Sequence, residues 1–494
     1  MNITKDLYKT SMALLTDLYQ LTMAYGYWKS GMTNQQVVFN LFFRDNPFNG
    51  GFTVACGLSY VIDYLNDLKF TREDADYLAT LTAPDGSRLF EQAFLDYLLD
   101  MEFDCDIEAV PEGTIVFPQE PIIRVKGNII LAQLIETPLL NILNFQTLIA
   151  TKASRIYLAA RDEPVLEFGL RRAQGIDGAI AASRAAYIGG CAATSNVLAG
   201  KLFGIPVSGT HAHSWVMSFP DELTAFKAYA EALPGNCVLL VDTYNTLEGV
   251  KHAIEVGKIL KEKGKKLLGV RIDSGDLAYF SIEARKLLDA AGFYETKVIA
   301  SNDLDENIIS SLHEQQAAID TWGIGTKLVT AFDQPALGAV YKMAAIEDEN
   351  GGWQYKIKLS EQVIKMNNPG IQQIRRFYEM DNNRRYLRAD MLYDTLLTLT
   401  STHTIIDPID PTRRKKINPS AFTHQDLLEP VFQKGRQVYH TPDIHEIRKL
   451  TLANLEELPS GIKRNVNPHT YPVGLEEQLY HGKTELILKL RNLD

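Results

Sequence analysis

The stretch VLLVDTYNTLEGVKHAIEVGKILKEKGKKLLGVRIDSGD, residues 238–276, decides the fold of this 494-residue chain. It opens on a continuous apolar run, Val238 to Val241, that stops at Asp242, and it closes on a second strand-like run, Leu268 to Ile272, apolar but for Arg271, that stops at Asp273. Between them, Leu247 to Glu262 carries apolar residues at helical spacing. A strand, an amphipathic helix and another strand make a crossover unit. Strands this uniformly apolar belong to a parallel sheet covered on both faces.

Outward from this stretch the same rhythm repeats. Val165 to Gly169, Cys191 to Thr194 and Ile205 to Gly209 precede it as short apolar strands, and Val298 to Asn302 and Thr321 to Gly325 follow it. Further amphipathic stretches fall at Leu223 to Leu233 and Asp276 to Ala291. Seven strands in succession favour closure into an irregular (β/α) barrel, with a doubly wound open sheet as the alternative. The barrel is assigned to residues 138–337, opened by a helix from Pro138 to Asp162.

Residues 1–137 read as a β-rich α/β domain, with a helix over residues 11–30 and β-rich runs at Val37 to Arg44 and Thr114 to Val125. Two hairpins, Ala339 to Leu359 turning at Asn350-Gly351 and Gln373 to Leu387 turning at Asn382-Asn383, are expected to complete that domain through residue 400. Residues 401–494 read as a C-terminal extension, with helix expected at His424 to Lys434 and Leu450 to Glu457.

Composition bounds the function. The 61 acidic against 50 basic residues give a formal charge of −11, which argues against nucleic acid as a main partner and leaves room for a local basic pocket. The one dense basic run, Arg413 to Lys416, reads as a solvated turn. No apolar run reaches the ~20 residues of a membrane span, and the opening Met1 to Asp6 has no leader pattern. Cys56, Cys105, Cys191 and Cys237 are widely separated, as buried free thiols of a cytoplasmic protein would be.

In a parallel barrel the C-terminal strand ends converge on one mouth, where active sites sit. Here those ends supply Glu167, Arg171 and Arg172; Thr210, His211 and His213; Asp242; Arg271, Asp273 and Asp276; Asn302, Asp303 and Asp305; and Gly325 and Thr326. Any one of them alone is as readily a helix cap or an ion pair, but a core does not need the whole ring. Arginines and glycine-rich turns hold phosphate, while carboxylates hold Mg²⁺ or ribose hydroxyls, so a phosphorylated sugar suits the ring. The chain has neither a GxxxxGK[ST] loop nor a GxGxxG fingerprint. A rival reading makes His211 and His213 the ligands of a metal-dependent barrel hydrolase. Further ligands are then wanting, since His252 and His313 fall in helix-like stretches and the other histidines lie beyond residue 400.

TDLYQLTM (16–23), NPFNGGF (46–52), EFGLRRAQG (167–175), GTHAHS (209–214), VDTYN (241–245), GVRIDSGD (269–276), SNDLDE (301–306) and GIGTKLVT (323–330) together resemble the nicotinate phosphoribosyltransferase family. The resemblance implies a type II phosphoribosyltransferase fold, an irregular α/β barrel joined to a β-rich N-terminal domain, in a homodimer whose sites take residues from both subunits. It implies ATP-coupled transfer of the phosphoribosyl group from phosphoribosyl pyrophosphate to nicotinate, giving nicotinate mononucleotide and pyrophosphate. By motif, Tyr19 would stack on the pyridine ring, Thr210 would line the nicotinate pocket, and Arg271 and Thr326 would hold the phosphoribosyl group. Arg171 would add positive charge, and His213 matches the family's histidine that ATP phosphorylates. Asp242, Asp273 and Asp276 are the candidates for Mg²⁺ or ribose contacts, Asp273 also for catalysis. Nicotinamide and quinolinate phosphoribosyltransferases are the competing relatives.

Overall fold

The structure, a computed structural model, describes residues 10–382, 384–399, 402–418 and 421–493. Two expectations, the leader-free opening at Met1 to Asp6 and the turn residue Asn383, lie outside them. The chain divides into two compact units, one of residues 148–335 with 444–452 and the other of residues 1–147, 336–443 and 453–494.

The first of these is built around a parallel sheet. Its strands run in the order Ala193–Thr194, Val165–Glu167, Thr321–Ile324, Lys297–Asn302, Gly269–Ile272 and Val238–Leu240. The seventh expected strand, Ile205 to Gly209, is reduced to a single parallel bridge between Val207 and Thr194. Pro206 has no N–H to give a ladder, and Gly209 turns the chain away. No ladder therefore joins the two ends of the sheet. Instead, the His211 imidazole accepts the Leu240 N–H at 3.1 Å, so a side chain spans the seam of an irregular barrel.

Helices follow the strands and bury apolar faces against them. Thr246–Glu262 buries Val250, Ala253, Ile254 and Leu260, and it is started by Asn245, whose side chain accepts the Glu248 N–H. Helices Leu277–Ala290 and Glu306–Glu314 are capped in the same way by Asp276 and Asp305. Asp276 and Asp305, two members of the polar ring seen in the sequence, thus serve the helices rather than the mouth.

The other unit holds two large β-sheets and a two-stranded one, Thr53–Val54 with Ile115–Val116. One large sheet is antiparallel, in the order Trp353–Tyr355, Val340–Glu347, Gln36–Phe42, Ile123–Asn128, Asp106–Ala109, Glu429–Gln433 and Arg436–Gln437. The second runs Arg414–Ile417, His403–Ile406, Val473–Glu476, Arg384–Asp394, Gln372–Asp381 and Thr423–Asp426. Both expected hairpins are present, with Gly351 at φ +79 in the first.

Residues 401–494 were expected as an extension, yet their described part supplies strands to both large sheets. The helix expected at His424 to Lys434 is instead the strands Thr423–Asp426 and Glu429–Gln433. Pro430 is incompatible with a helix interior there, and Glu429 to Phe432 pair instead with Ile107 to Ala109, with Val431 and Phe432 buried. The basic run Arg413 to Lys416 is likewise no simple turn. It forms most of the edge strand Arg414–Ile417, whose charges guard an open sheet edge. Among the described residues, no helix is long and apolar enough to cross a membrane.

Candidate active site

The strand ends of the 148–335 unit surround a cavity of about 460 Å³. Of the nine residues given site roles from the sequence, six line it together, Arg171, Thr210, His213, Arg271, Asp273 and Thr326, and Arg172, His211, Asn302, Asp303 and Gly325 of the expected ring line it with them. The other three are placed elsewhere. Asp242 stands beside the cavity without lining it, Asp276 caps helix Leu277–Ala290, and Tyr19 belongs to the other unit, 49% exposed near the start of helix Leu18–Lys29.

Arg271 leaves the sheet on strand Gly269–Ile272 with its guanidinium largely buried. Nη1 donates to Thr210 Oγ1, tying the strand to the turn that carries both histidines. Nε is buried without a hydrogen-bond partner. Burial pulls the pKa of Arg271 down, opposed by the negative charges of Asp273 and Asp242 and reinforced by Arg171. A cation with a spare donor, held in partly dehydrated surroundings, is suited to an anionic ligand.

His213 opens the short helix His213–Met217. Its Nδ1 lies 3.2 Å from Thr243 Oγ1, and its Nε2 lies 4.0 Å from Asp273 Oδ2. Asp273 in turn accepts a hydrogen bond from Ser301 Oγ through its other oxygen. Asp242 Oδ2 accepts the Asp273 N–H at 2.9 Å and the Ser274 hydroxyl at 2.6 Å, fixing the turn from which Asp273 projects, while its Oδ1 is buried with no hydrogen-bond partner.

His211 does different work from its neighbour. Because Nε2 accepts from Leu240, the ring proton must sit on Nδ1, which faces the Ala212 carbonyl at 3.3 Å. Burial pushes its pKa down to about 4, with Arg271 and His213 adding to the effect. Both nitrogens of this neutral ring are engaged, and among the described residues no group of three or more His, Cys, Asp or Glu side chains is gathered to hold a metal ion. The hydrolase reading, which needs both histidines as ligands, loses one of them.

Glu167 also turns inward. Fully buried, it accepts hydrogen bonds from the Gly169 N–H, the Ser183 hydroxyl and the Thr194 hydroxyl, locking two strand ends side by side. The mouth meanwhile gains residues that the sequence did not single out, Phe168, Ser195 and Ser301, which line it beside Asn302 of the expected ring. Asn302 adopts φ +131, a left-handed backbone that costs a non-glycine residue about 1–3 kcal/mol. A strained residue at the end of a strand was signalled only by the Ser-Asn-Asp run, which reads equally well as a turn.

The chain matches the nicotinate phosphoribosyltransferase (NAPRTase) family in three parts. The N-terminal domain matches over residues 14–144, the family itself over residues 164–359 and the C-terminal domain over residues 371–483. It is 45% identical to the nicotinate phosphoribosyltransferase of Bacillus subtilis (strain 168), over 98% of this chain and 96% of that one. To the nicotinate phosphoribosyltransferase of Homo sapiens it is 34% identical, over 94% of this chain and 95% of that one. The crystal structure of human nicotinic acid phosphoribosyltransferase superposes with a TM-score of 0.82 at 32% identity, covering 95% of this chain and 99% of the other. At 22% identity, nicotinate-nucleotide pyrophosphorylase from Pyrococcus furiosus shares the fold with a TM-score of 0.67, over 90% of this chain and 96% of that one. The chain therefore belongs to the nicotinate phosphoribosyltransferase family.

Proposed function

We infer that this chain transfers the phosphoribosyl group of phosphoribosyl pyrophosphate to nicotinate, forming nicotinate mononucleotide and pyrophosphate in NAD biosynthesis, with ATP hydrolysis coupled to the transfer. The observation that carries the reading is the convergence on one mouth of Arg271, bonded to Thr210, with His213 and Asp273, whose Nε2 and Oδ2 lie 4.0 Å apart. The pyridine nitrogen attacks the anomeric carbon as its bond to pyrophosphate breaks. Positive charge develops on the sugar and negative charge on the leaving group. Asp273 would offset the first, and Arg271 with Arg171 the second; all three line the cavity.

Mg²⁺, when bound, would neutralise pyrophosphate charge. Asp273 at the cavity wall and Asp242, with its unpartnered buried oxygen, are the carboxylates that would hold it, and two protein carboxylates completed by substrate oxygens are ordinary for this ion. Asp276 is committed to its helix cap and has no part in the reading. His213 is the acceptor of the terminal phosphoryl group of ATP: Nε2 forms the new P–N bond, ADP leaves, and water later releases phosphate. Nε2 needs a free lone pair for this, so Nδ1 carries the proton and donates it to Thr243 Oγ1.

Tyr19 serves a site through a homodimer, a role supported by an aromatic ring left half exposed on its helix. The four free, buried cysteines support a reducing, cytoplasmic setting. The test is product formation from nicotinate, nicotinamide and quinolinate, each with and without ATP. Nicotinate alone should react well, and faster with ATP. Preference for either other pyridine would overturn the substrate, and indifference to ATP would overturn the coupling.

A further inference from the structure

We propose that Gln20, Gln133 and Glu136 are positioning residues for Tyr19: their side chains close a triangle of hydrogen bonds that fixes the rotation of helix Leu18–Lys29, and with it the direction in which the Tyr19 ring points. The inference rests on the assignment of Tyr19 to the pyridine and adds what holds that ring in place. Gln133 Nε2 donates to Gln20 Oε1 at 2.6 Å and to Glu136 Oε2 at 2.8 Å, while Gln20 Nε2 donates to the same Glu136 oxygen at 3.0 Å. Gln20 is fully buried and Gln133 is only 5% exposed, and neither leaves a buried side-chain nitrogen or oxygen without a partner.

The helix has little else to fix it at this end. Only Gln20, Leu21 and Ala24 among its residues are buried. Further along, Tyr25 and Trp28 pack against Phe94, and Tyr25 also against Phe90, so rings hold the C-terminal half. The first turn, where Tyr19 stands, depends on polar groups. Two small apolar contacts tolerate rotation and sliding. A buried amide with directional partners does not, because displacement leaves dehydrated donors unpaired.

Asp17 points the same way. It occupies the N-cap position, where an aspartate ordinarily accepts an N–H of the first turn. Its side chain makes no such bond and accepts the Thr137 hydroxyl at 2.8 Å instead, while the Thr16 hydroxyl donates to the Leu134 carbonyl at 3.3 Å. The first turn thus gives up its own cap and is tied to the junction of helices Ile129–Leu134 and Glu136–Ala160. Burial, and then the charges of Glu136 and Asp17, push the Tyr19 phenol's pKa up, so both carboxylates are felt at the ring. A stacking ring works only where its face meets its partner, and misplacing a contacting group by about 1 Å can cost up to about a hundredfold. The triangle therefore acts on nicotinate and leaves phosphoribosyl pyrophosphate alone.

The test is a double-mutant cycle on the full chain, read in KM. Gln20→Met, which keeps the length of the side chain and loses the amide, should raise KM for nicotinate about tenfold with KM for phosphoribosyl pyrophosphate near wild type. Glu136→Leu should do the same, and it decides the matter should Gln20→Met fail to fold. Glu136→Gln, which can still accept both hydrogen bonds, should stay near wild type. Tyr19→Leu should itself raise KM for nicotinate, and adding Gln20→Met to it should raise KM no further. Four results would overturn the positioning role and leave Tyr19's own role intact: wild-type KM in both Gln20→Met and Glu136→Leu, an equal rise for both substrates, Glu136→Gln as impaired as Glu136→Leu, or effects that multiply in the double variant. Wild-type KM for nicotinate in Tyr19→Leu would instead overturn the reading of Tyr19, and this inference with it.

Discussion

Arg271 is held dehydrated and under-bonded, an arrangement that costs the fold something and serves a ligand. Arg271→Ala should therefore leave the melting temperature near that of the wild type. It should lower kcat/KM for phosphoribosyl pyrophosphate roughly ten- to hundredfold, the kinetic equivalent of losing about 1.5–3 kcal/mol of charge-assisted contact. Steady-state rates at low phosphoribosyl pyrophosphate check it, and near-normal values would remove Arg271 from the site. His211 makes the opposite kind of contribution. Its pKa falls from 6.5 to about 4 on folding, so between those values the unfolded chain binds the extra proton. The stability tied to the neutral ring is complete above pH 6.5 and is lost as pH falls towards 4, up to about 3 kcal/mol. Urea unfolding of wild type and His211→Asn across that window should give a shallower pH slope in the variant, and parallel slopes would refute the assignment. The two histidines of the Thr-His-Ala-His run were legible as a pair but not as a division of labour. Which ring stands in the seam and which in the mouth depends on a backbone N–H from a strand 29 residues away.

At the level of elements, the alternation of apolar strands and amphipathic helices was legible because the strands of the parallel sheet are largely buried on both faces and read as short, mostly apolar runs. The pattern fails where short strands are partly polar: Thr423–Asp426 is exposed along most of its length and offers no periodicity to read. A helix–strand contact invisible to periodicity lies at Gly249. A β-carbon there would press on the Val241 carbonyl, one residue before Asp242. Alanine would gain about 1 kcal/mol in helix propensity and lose about 1–3 kcal/mol to overpacking against backbone that cannot rotate away. Gly249→Ala should thus be destabilised on balance and should also lose activity, because the helix pushes on the turn that Asp242 fixes. Thermal melts and rates measured together check this, and a stabilised, fully active variant would contradict it.

The whole molecule is interleaved in a way the linear order hides: the barrel unit borrows residues 444–452, and the other unit is assembled from three separate segments. Long-range pairing of this sort leaves no local mark, which is why residues beyond 400 read as an appendage. Tyr19 tests the assembly. If it completes a neighbouring subunit's site, a mixture of inactive Tyr19→Ala and inactive His213→Ala chains, unfolded and refolded together, should recover up to about a quarter of wild-type activity through heterodimers. A mixture as inactive as its parents would confine both residues to one chain. The seam of the barrel has a consequence of its own. Strand Val238–Leu240 is an edge whose Leu240 amide is held by an imidazole instead of a neighbouring strand. Its hydrogen should exchange with solvent deuterium when that one ring swings aside, without waiting for the sheet to open. A single amide would then keep time for the breathing of the barrel, its protection relative to an open amide falling in acid as the ring takes up its proton, while the ladder hydrogens of Gly269–Ile272 beside it stay protected.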